Sequence, residues 1–333
     1  MSRLLACGLA LALSVLALVA FAGTPEAQTR VLEACESGKQ EIDARALPGV
    51  VEPGECPARE RQISDGPVAA AVPPPGQTVY AEVLTTSGAQ ELSVRRLPDG
   101  GIHLDRVGEE PDEAFALDRG RGADGEGCSS RSYKDLDHKM TETGAITYGF
   151  RVSTTPSDFN RRGARNAVVR AARNVFDTRN GCRMGDRVPV AIKYGGQTGA
   201  PAQVGGGLCG RNDRRSVVAF GDLRPGILAA TCTIAEDRPL YDHEEVLSAD
   251  IKINRSDYRW TLKPNSRSCS RAYDLEGVMT HEWGHAFGLG HVPEAGGRNL
   301  TMSRAINGPC QAGERSLGRG DVLGLQDKYP NAQ

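Results

Sequence analysis

Eleven consecutive residues constrain this chain more than any other stretch: His281-Glu282-Trp283-Gly284-His285-Ala286-Phe287-Gly288-Leu289-Gly290-His291. Residues four apart on a helix lie one turn apart on the same face, so His281 and His285 point the same way. Two neutral imidazoles so placed can grip one Zn²⁺. Gly288 tolerates φ > 0 and can end the helix. The chain can then fold back and bring in His291 as a third nitrogen ligand. Three protein ligands leave a fourth position for water, the mark of a catalytic rather than a closed structural zinc site. Glu282, beside the first ligand, can take a proton from that water. The chain has six histidines in 333 residues, and three of them fall in this one pattern. A surface helix with unrelated histidines would leave the H-E-x-x-H-x-x-G-x-x-H spacing unexplained.

The net charge of −2 gives no reason to expect nucleic acid or an anionic membrane as partner. Residues 1–22 read as a signal peptide: Arg3, an apolar run from Leu4 to Phe21, and the small-x-small exit Ala20-Phe21-Ala22, with cleavage near Ala22 or after Ala27. A membrane anchor is the competing reading, because the run is nearly long enough to span. Export implies an oxidising environment. The eight cysteines after Cys7 are then expected as neighbouring disulfides: Cys35 with Cys56, Cys128 with Cys182, Cys209 with Cys232, and Cys269 with Cys310. The sharper alternative is a thiolate from Cys35, Cys56 or Cys128 that blocks the zinc.

Composition divides the chain. Residues 23–77 are rich in Pro, Gly, Ala and charge and read as poorly ordered, with Val72-Pro73-Pro74-Pro75-Gly76 as a stiff linker. Thr78–Thr85, Glu91–Leu97 and Ile102–Val107 alternate between turns and read as a three-stranded meander, either a removable pro-piece or a permanent accessory module. Charge and glycine across residues 108–126 place a boundary there. From residue 127 onward the chain reads as one domain of strand, long helix (Ala164 to Phe176), further strands, zinc helix (Asp274–Gly288), irregular loop and final helix (Leu317–Tyr329). That order predicts an α+β fold with a mixed sheet.

From these residues, the part spanning roughly Ile146 to Tyr329 resembles the metzincins, and among them the bacterial matrixin-like zinc peptidases. The zinc stretch carries the resemblance, with Gly284 before its second histidine. So do Met302 in Leu300-Thr301-Met302-Ser303, placed like a Met-turn, and Ser316 to Tyr329, similar to the matrixin C-terminal helix. Ala249-Asp250-Ile251-Lys252-Ile253-Asn254, with Trp260 after it, is similar to the family's sheet-edge strand along the substrate cleft. The resemblance implies that an extended substrate adds to Ala249–Asn254. It also implies a twisted mixed sheet and one catalytic Zn²⁺ held by His281, His285 and His291. Calcium binding is common in relatives, but no Ca²⁺ ligands can be assigned. No Pro-Arg-Cys-Gly segment is present, so the usual cysteine switch is missing. The His-Gly-Asp segment of a second zinc site is absent as well, leaving His243 alone between Asp242 and Glu244.

The expected function is a secreted zinc metalloendopeptidase. Zinc lowers the pKa of its water toward about 7, and Glu282 accepts the proton as that water attacks a peptide carbonyl. A protein or peptide is the expected partner, with no nucleic acid, no stable membrane insertion and a monomeric chain. The competing function is an exported, non-catalytic zinc-binding or surface-interaction protein, for which Glu282 would have no use. His103, His138 and His243 have no metal-spaced neighbour and read as structural or surface residues.

Overall fold

The computed structural model describes residues 31, 33–35, 40–58, 60–107, 126–140, 146–185, 188–190, 192–239, 241–293, 297 and 299–330. The expected signal peptide and the boundary segment 108–125 lie outside them. Residues 41–71 correct the expectation of poor order. They carry β1 (Glu41–Asp43), β2 (Val50–Val51), β3 (Gln62–Asp65) and β4 (Val68–Ala71). Ile42, Val51, Ile63, Val68 and Ala70 are buried in one apolar cluster that also takes in Ile227, Ala230 and Ile234 from the far half of the chain. The local composition looked too poor for a core because most of that core is supplied from elsewhere. The meander follows as β5 (Gln77–Thr85), β6 (Ala89–Arg96) and β7 (Ile102–Val107). Its first turn is held by Thr85 Oγ1, which accepts from the N–H groups of Ser87 and Gly88 at 3.2 and 3.0 Å.

The second half runs through β8 (Lys134–Asp135), β9 (His138–Lys139), β10 (Ile146–Arg151), helix α1 (Arg161–Phe176), β11 (Ile192–Gln197), β12 (Val204–Gly205), β13 (Leu208–Cys209), β14 (Ser216–Gly221), β15 (Ile227–Glu236), β16 (Glu244–Asn254), β17 (Arg259–Thr261), β18 (Ala272–Asp274), α2 (Leu275–Ala286), β19 (Leu289–Gly290) and α3 (Arg319–Lys328). Strand β11 starts at Ile192, beyond Pro189, which has no N–H to give a ladder. Helix α1 is amphipathic through small residues. Ala164, Ala167, Val168, Ala171, Ala172 and Val175 are buried on one side, and their small side chains let α2 pack closely. Asn160 caps the helix by accepting from the N–H of Gly163 at 2.9 Å.

One large mixed sheet organises the molecule, in the order β11-β10-β14-β16-β15-β5-β6-β7-β2. The first four strands run parallel, with α1 as the crossover between β10 and β11. Along that order every neighbour from β16 onward is antiparallel, and off it the short β9 pairs with β16 in parallel. The meander is thus a continuation of the same sheet. Its strand β5 hydrogen-bonds to β15 along its whole length, from Thr85 opposite Ile227 to Gln77 opposite Glu236. A second sheet, β1-β3-β4-β13-β12, again joins the two halves. Helices α1 and α2 cover one face of the large sheet through a cluster that includes Tyr148, Phe150, Ile251 and Trp283. All four disulfides form as expected, so no thiol from Cys35, Cys56 or Cys128 reaches the metal site. Among the described residues, no helix is long and apolar enough to cross a membrane.

The expected substrate strand requires correction. Ala249, Asp250, Ile251, Lys252, Ile253 and Asn254 lie in β16, which is paired on both sides: Ile251 faces Val218 of β14 and Thr231 of β15. With both ladders filled, this strand has no edge to offer a peptide. Its polar residues serve the fold. Asp250 accepts from the N–H of Val217 at 3.0 Å, Asn254 donates to the carbonyl of Ile227 at 2.7 Å, and Lys252 donates to the carbonyl of Val204.

Burial, reinforced by nearby Asp213, pushes the Asp250 carboxyl up to about 8. Asp250 is therefore protonated in the folded chain but ionised in the unfolded one between about pH 4 and 8, and stability falls as pH rises through that window. From pH 5 to 8 the parent chain should lose on the order of 1 kcal/mol per pH unit more than Asp250→Asn does. Urea midpoints at several pH values read that difference, and parallel slopes would refute it.

Candidate metal centre

Helix α2 begins at Asp274, whose carboxylate accepts from the N–H of Gly277 at 3.0 Å and pairs with Arg315 at 2.5 Å. Glu276 in the first turn pairs with Arg170 at 2.7 Å. These carboxylates lie at the positive end of the helix dipole and fix where the helix starts. All twelve residues of α2 are buried. Trp283 packs edge-on against Tyr148 with ring centroids 4.7 Å apart, and Phe287 lies in the same core. The apolar side is thereby anchored and its aim is fixed.

The helix stops where the glycine demands it. Gly288 has φ +89°, and a Cβ there would stand 2.4 Å from the carbonyl oxygen of His138 and 2.5 Å from Cε of Lys328. Both the backbone angle and the space exclude a side chain. The chain turns into β19, which pairs with β8, and delivers His291.

The Nε2 atoms of His281, His285 and His291 then converge, 3.0, 3.1 and 3.1 Å apart. Each Nδ1 faces an acceptor. His281 Nδ1 donates to the carbonyl of Thr301 at 2.7 Å, and His285 Nδ1 donates to the carbonyl of Leu289 at 2.9 Å. His291 Nδ1 lies 2.7 Å from Glu91 Oε1, an ion-pair distance without the alignment of a hydrogen bond. Acceptors on the Nδ1 side keep the protons there and leave lone pairs on the Nε2 side. Burial lowers the pKa of His281 to about 3 and that of His285 well below the usual histidine range, so the rings stay neutral. Three lone pairs pointed at one another repel unless a cation sits among them. Tetrahedral zinc at about 2.0–2.1 Å from each nitrogen spaces its ligands by about 3.3 Å, close to the separations seen. The site therefore fits the ion. Among the described residues this trio is the one group of three or more His, Cys, Asp or Glu side chains with such convergence, so no calcium ligands emerge.

Glu282 is fully buried beside the trio. Its Oε2 accepts from Thr231 Oγ1 of β15 at 2.5 Å, while Oε1 has no partner. Burial pushes this carboxyl up to about 8, against the opposing pull of the Thr231 hydroxyl. Beneath the centre, Met302 is buried with its sulfur only 2.2 Å from where a Cβ on Gly284 would stand. Glycine before the second histidine is thus what admits the Met302 side chain. The turn at Thr301–Met302 is itself held by buried Asp321 of α3, which accepts from the N–H groups of Thr301, Gly318 and Met302 at 2.8, 2.8 and 3.2 Å.

The remaining histidines stand apart from the trio's ring nitrogens. Buried His138 donates from Nε2 to the carbonyl of His285 at 2.9 Å, a structural contact. His243 pairs with its neighbour Asp242 at 3.0 Å, and His103 lies in β7. Glu91 and Glu82 escape the sequence reading. Glu91 accepts from the backbone N–H of His291 and from Lys134 Nζ, both at 2.5 Å, as well as facing His291 Nδ1. Glu82 lies opposite Glu91 on β5 and is 2% exposed. The available signal was two carboxylates placed symmetrically about the hairpin turn, an arrangement that costs stability without a further partner.

No curated protein matches this chain. Residues 231–330, from within β15 to the end of α3, match the matrixin family model, which supports a matrixin- or metzincin-like family and a zinc-metallopeptidase-like role for this part of the chain.

Proposed function

We propose that this protein is a secreted zinc-dependent endopeptidase. The observation that carries the reading is the convergence of three imidazole lone pairs beside a carboxylate with one oxygen unpartnered. His281, His285 and His291 would hold the ion. Zinc bound there supplies an acidified water and a Lewis acid for the scissile carbonyl. Glu282 is the proton carrier: Thr231 fixes its Oε2, and Oε1 is left to accept a proton from water and return it to the leaving amine. In the metal-loaded site Glu282 would be ionised at the start of the cycle, nearby positive charge offsetting the burial that raises its carboxyl. Met302 and Asp321 hold the floor beneath the trio. The match to matrixin at residues 231–330 supports the same chemistry. The four disulfides are consistent with an extracellular protein.

The test is casein degradation by the purified zinc-loaded chain, assayed intact and after brief trypsin treatment followed by trypsin inhibition, with Glu282→Ala handled identically. Chelator-sensitive degradation by the parent chain in at least one state, and by Glu282→Ala in neither, is the expected result. Zinc bound by both chains with no degradation in any state would overturn the peptidase reading.

A further inference from the structure

The metal centre has no route to solvent through its own residues: His281, Glu282, His285 and His291 are each 0 or 1% exposed. The β5–β6 hairpin lies against them through Glu91, and strand register shows how. Directly opposed residues on neighbouring antiparallel strands point to the same face of a sheet. Thr231 of β15 opposes Glu82 of β5, and Glu82 opposes Glu91 of β6. Thr231 touches Glu282, and Glu91 touches His291. Glu82 therefore lies in the middle of a three-residue row whose two ends rest on the proton carrier and on a metal ligand, all on the metal side of the sheet. Along the row the strands are spaced by about 4.8 Å.

Glu82 is poorly accommodated by the fold. Its Oε2 is buried with no hydrogen-bond partner, and the carboxylate directly opposite, Glu91, repels it. Burial, together with Glu91 and Glu282, pushes the Glu82 carboxyl well up. A local arrangement this unfavourable marks function or a missing cation. Lys134 relieves Glu91 but leaves this oxygen of Glu82 unmet. The hairpin also fills the sheet edge an extended peptide would need, because β5 takes up the outer ladder of β15.

The covalent map fits a removable piece. Cys35–Cys56 lies on one side of residues 108–125, and Cys128–Cys182, Cys209–Cys232 and Cys269–Cys310 lie on the other. A cut between the two sides would leave no bond joining them.

We infer that β5–β6 is a built-in blocking hairpin: it occupies the substrate ladder of β15, anchors through Glu91 on His291 and Lys134, and sets Glu82 between Glu91 and Thr231 on the metal side of the sheet. This rests on the endopeptidase reading for its consequence but not for its geometry. Release of the N-terminal part frees the β15 edge and exposes the metal to water together.

The experiment places a site for a specific protease in the glycine-rich run that begins at Gly120 of the full chain. Zinc extraction by a chromophoric chelator, the visible spectrum of the cobalt-substituted chain and cleavage of a fluorogenic peptide are followed before and after the cut, with gel filtration to establish that the N-terminal piece leaves. The intact chain should yield zinc at least tenfold more slowly than the cut and separated chain, the cobalt spectrum should change on separation, and peptide cleavage should appear only then. Because the separated part can fail to fold, Glu82→Ala in the intact chain is the second arm. It should melt no lower than the parent, shift the cobalt spectrum and yield zinc at least tenfold faster. Faster extraction and a changed spectrum without peptide cleavage would uphold the blocking hairpin and overturn the peptidase reading. Equal peptide cleavage by intact and cut chains would uphold the peptidase and overturn the hairpin. An unchanged cobalt spectrum and extraction rate in Glu82→Ala would overturn the role given to Glu82.

Discussion

Glu282→Gln, assayed in the form with the hairpin released, should cleave peptides about 10²–10⁴-fold more slowly than the parent while keeping one zinc per chain. The substitution is nearly isosteric. The amide oxygen of Gln can still accept the Thr231 hydroxyl that now reaches Oε2 at 2.5 Å, so packing is preserved. What is lost is the basic oxygen, and with it both proton transfers. Stability should move the other way. Burial raises the Glu282 carboxyl to about 8, which means that ionising it inside the fold costs free energy at neutral pH. A neutral amide has no such cost, so the metal-free variant should melt no lower than the metal-free parent. Metal content by mass spectrometry, kcat/KM and thermal melts measure the three quantities. A parent-like rate would remove Glu282 from the chemistry, and a lost metal would mean that the change had disturbed the trio.

Stripping the metal should lower the melting temperature by about 6 °C. A ligand present at a thousand times its dissociation constant contributes about 4 kcal/mol, and each kcal/mol moves a chain of this size by about 1.5 °C. The cause is local: without the ion, three Nε2 lone pairs are left 3.0–3.1 Å apart in a buried pocket. The metal-free chain should also lose stability in acid. Burial lowers the pKa of His281 to about 3, so below the unfolded value of about 6.5 the unfolded chain takes up a proton that the folded chain refuses. Its stability is therefore lost as pH falls from about 6.5 toward 3. His281→Ala should melt like the stripped parent and show no response to chelator. A chelator-insensitive melt of the parent would refute the metal's structural contribution.

The metal site was legible in the sequence because its rules are local. Helical period aligns His281 with His285, and Gly288 ends the helix through its own backbone freedom. The Ala and Val repeat of α1 reports its buried face in the same way. The strand at 249–254 was misjudged for a physical reason. Alternation tells which face a residue occupies, not whether a strand is central or at an edge. Asp250 and Asn254 read as a wet face, yet both are buried and bonded to neighbouring strands. Residues 41–71 were misjudged because their core partners, such as Ile227 and Ile234, lie far along the chain. Glu82 and Glu91 belong to the site only through pairing with β15, and no spacing rule links residue 82 to residue 231.

That pairing also sets a timetable for folding. Tyr80 of β5 lies opposite Thr233 of β15, a pairing that closes a loop on the order of 150 residues. At synthesis rates of about 5–20 residues per second, β5 emerges roughly ten to thirty seconds before its partner exists. Until then the meander has one unsatisfied edge, and until β5 docks, β15 has another. Folding should therefore be slow for a chain of this size. The N-terminal strands are made first and held in waiting, so that β15 is capped as soon as it forms and exposes no long bare edge to other chains.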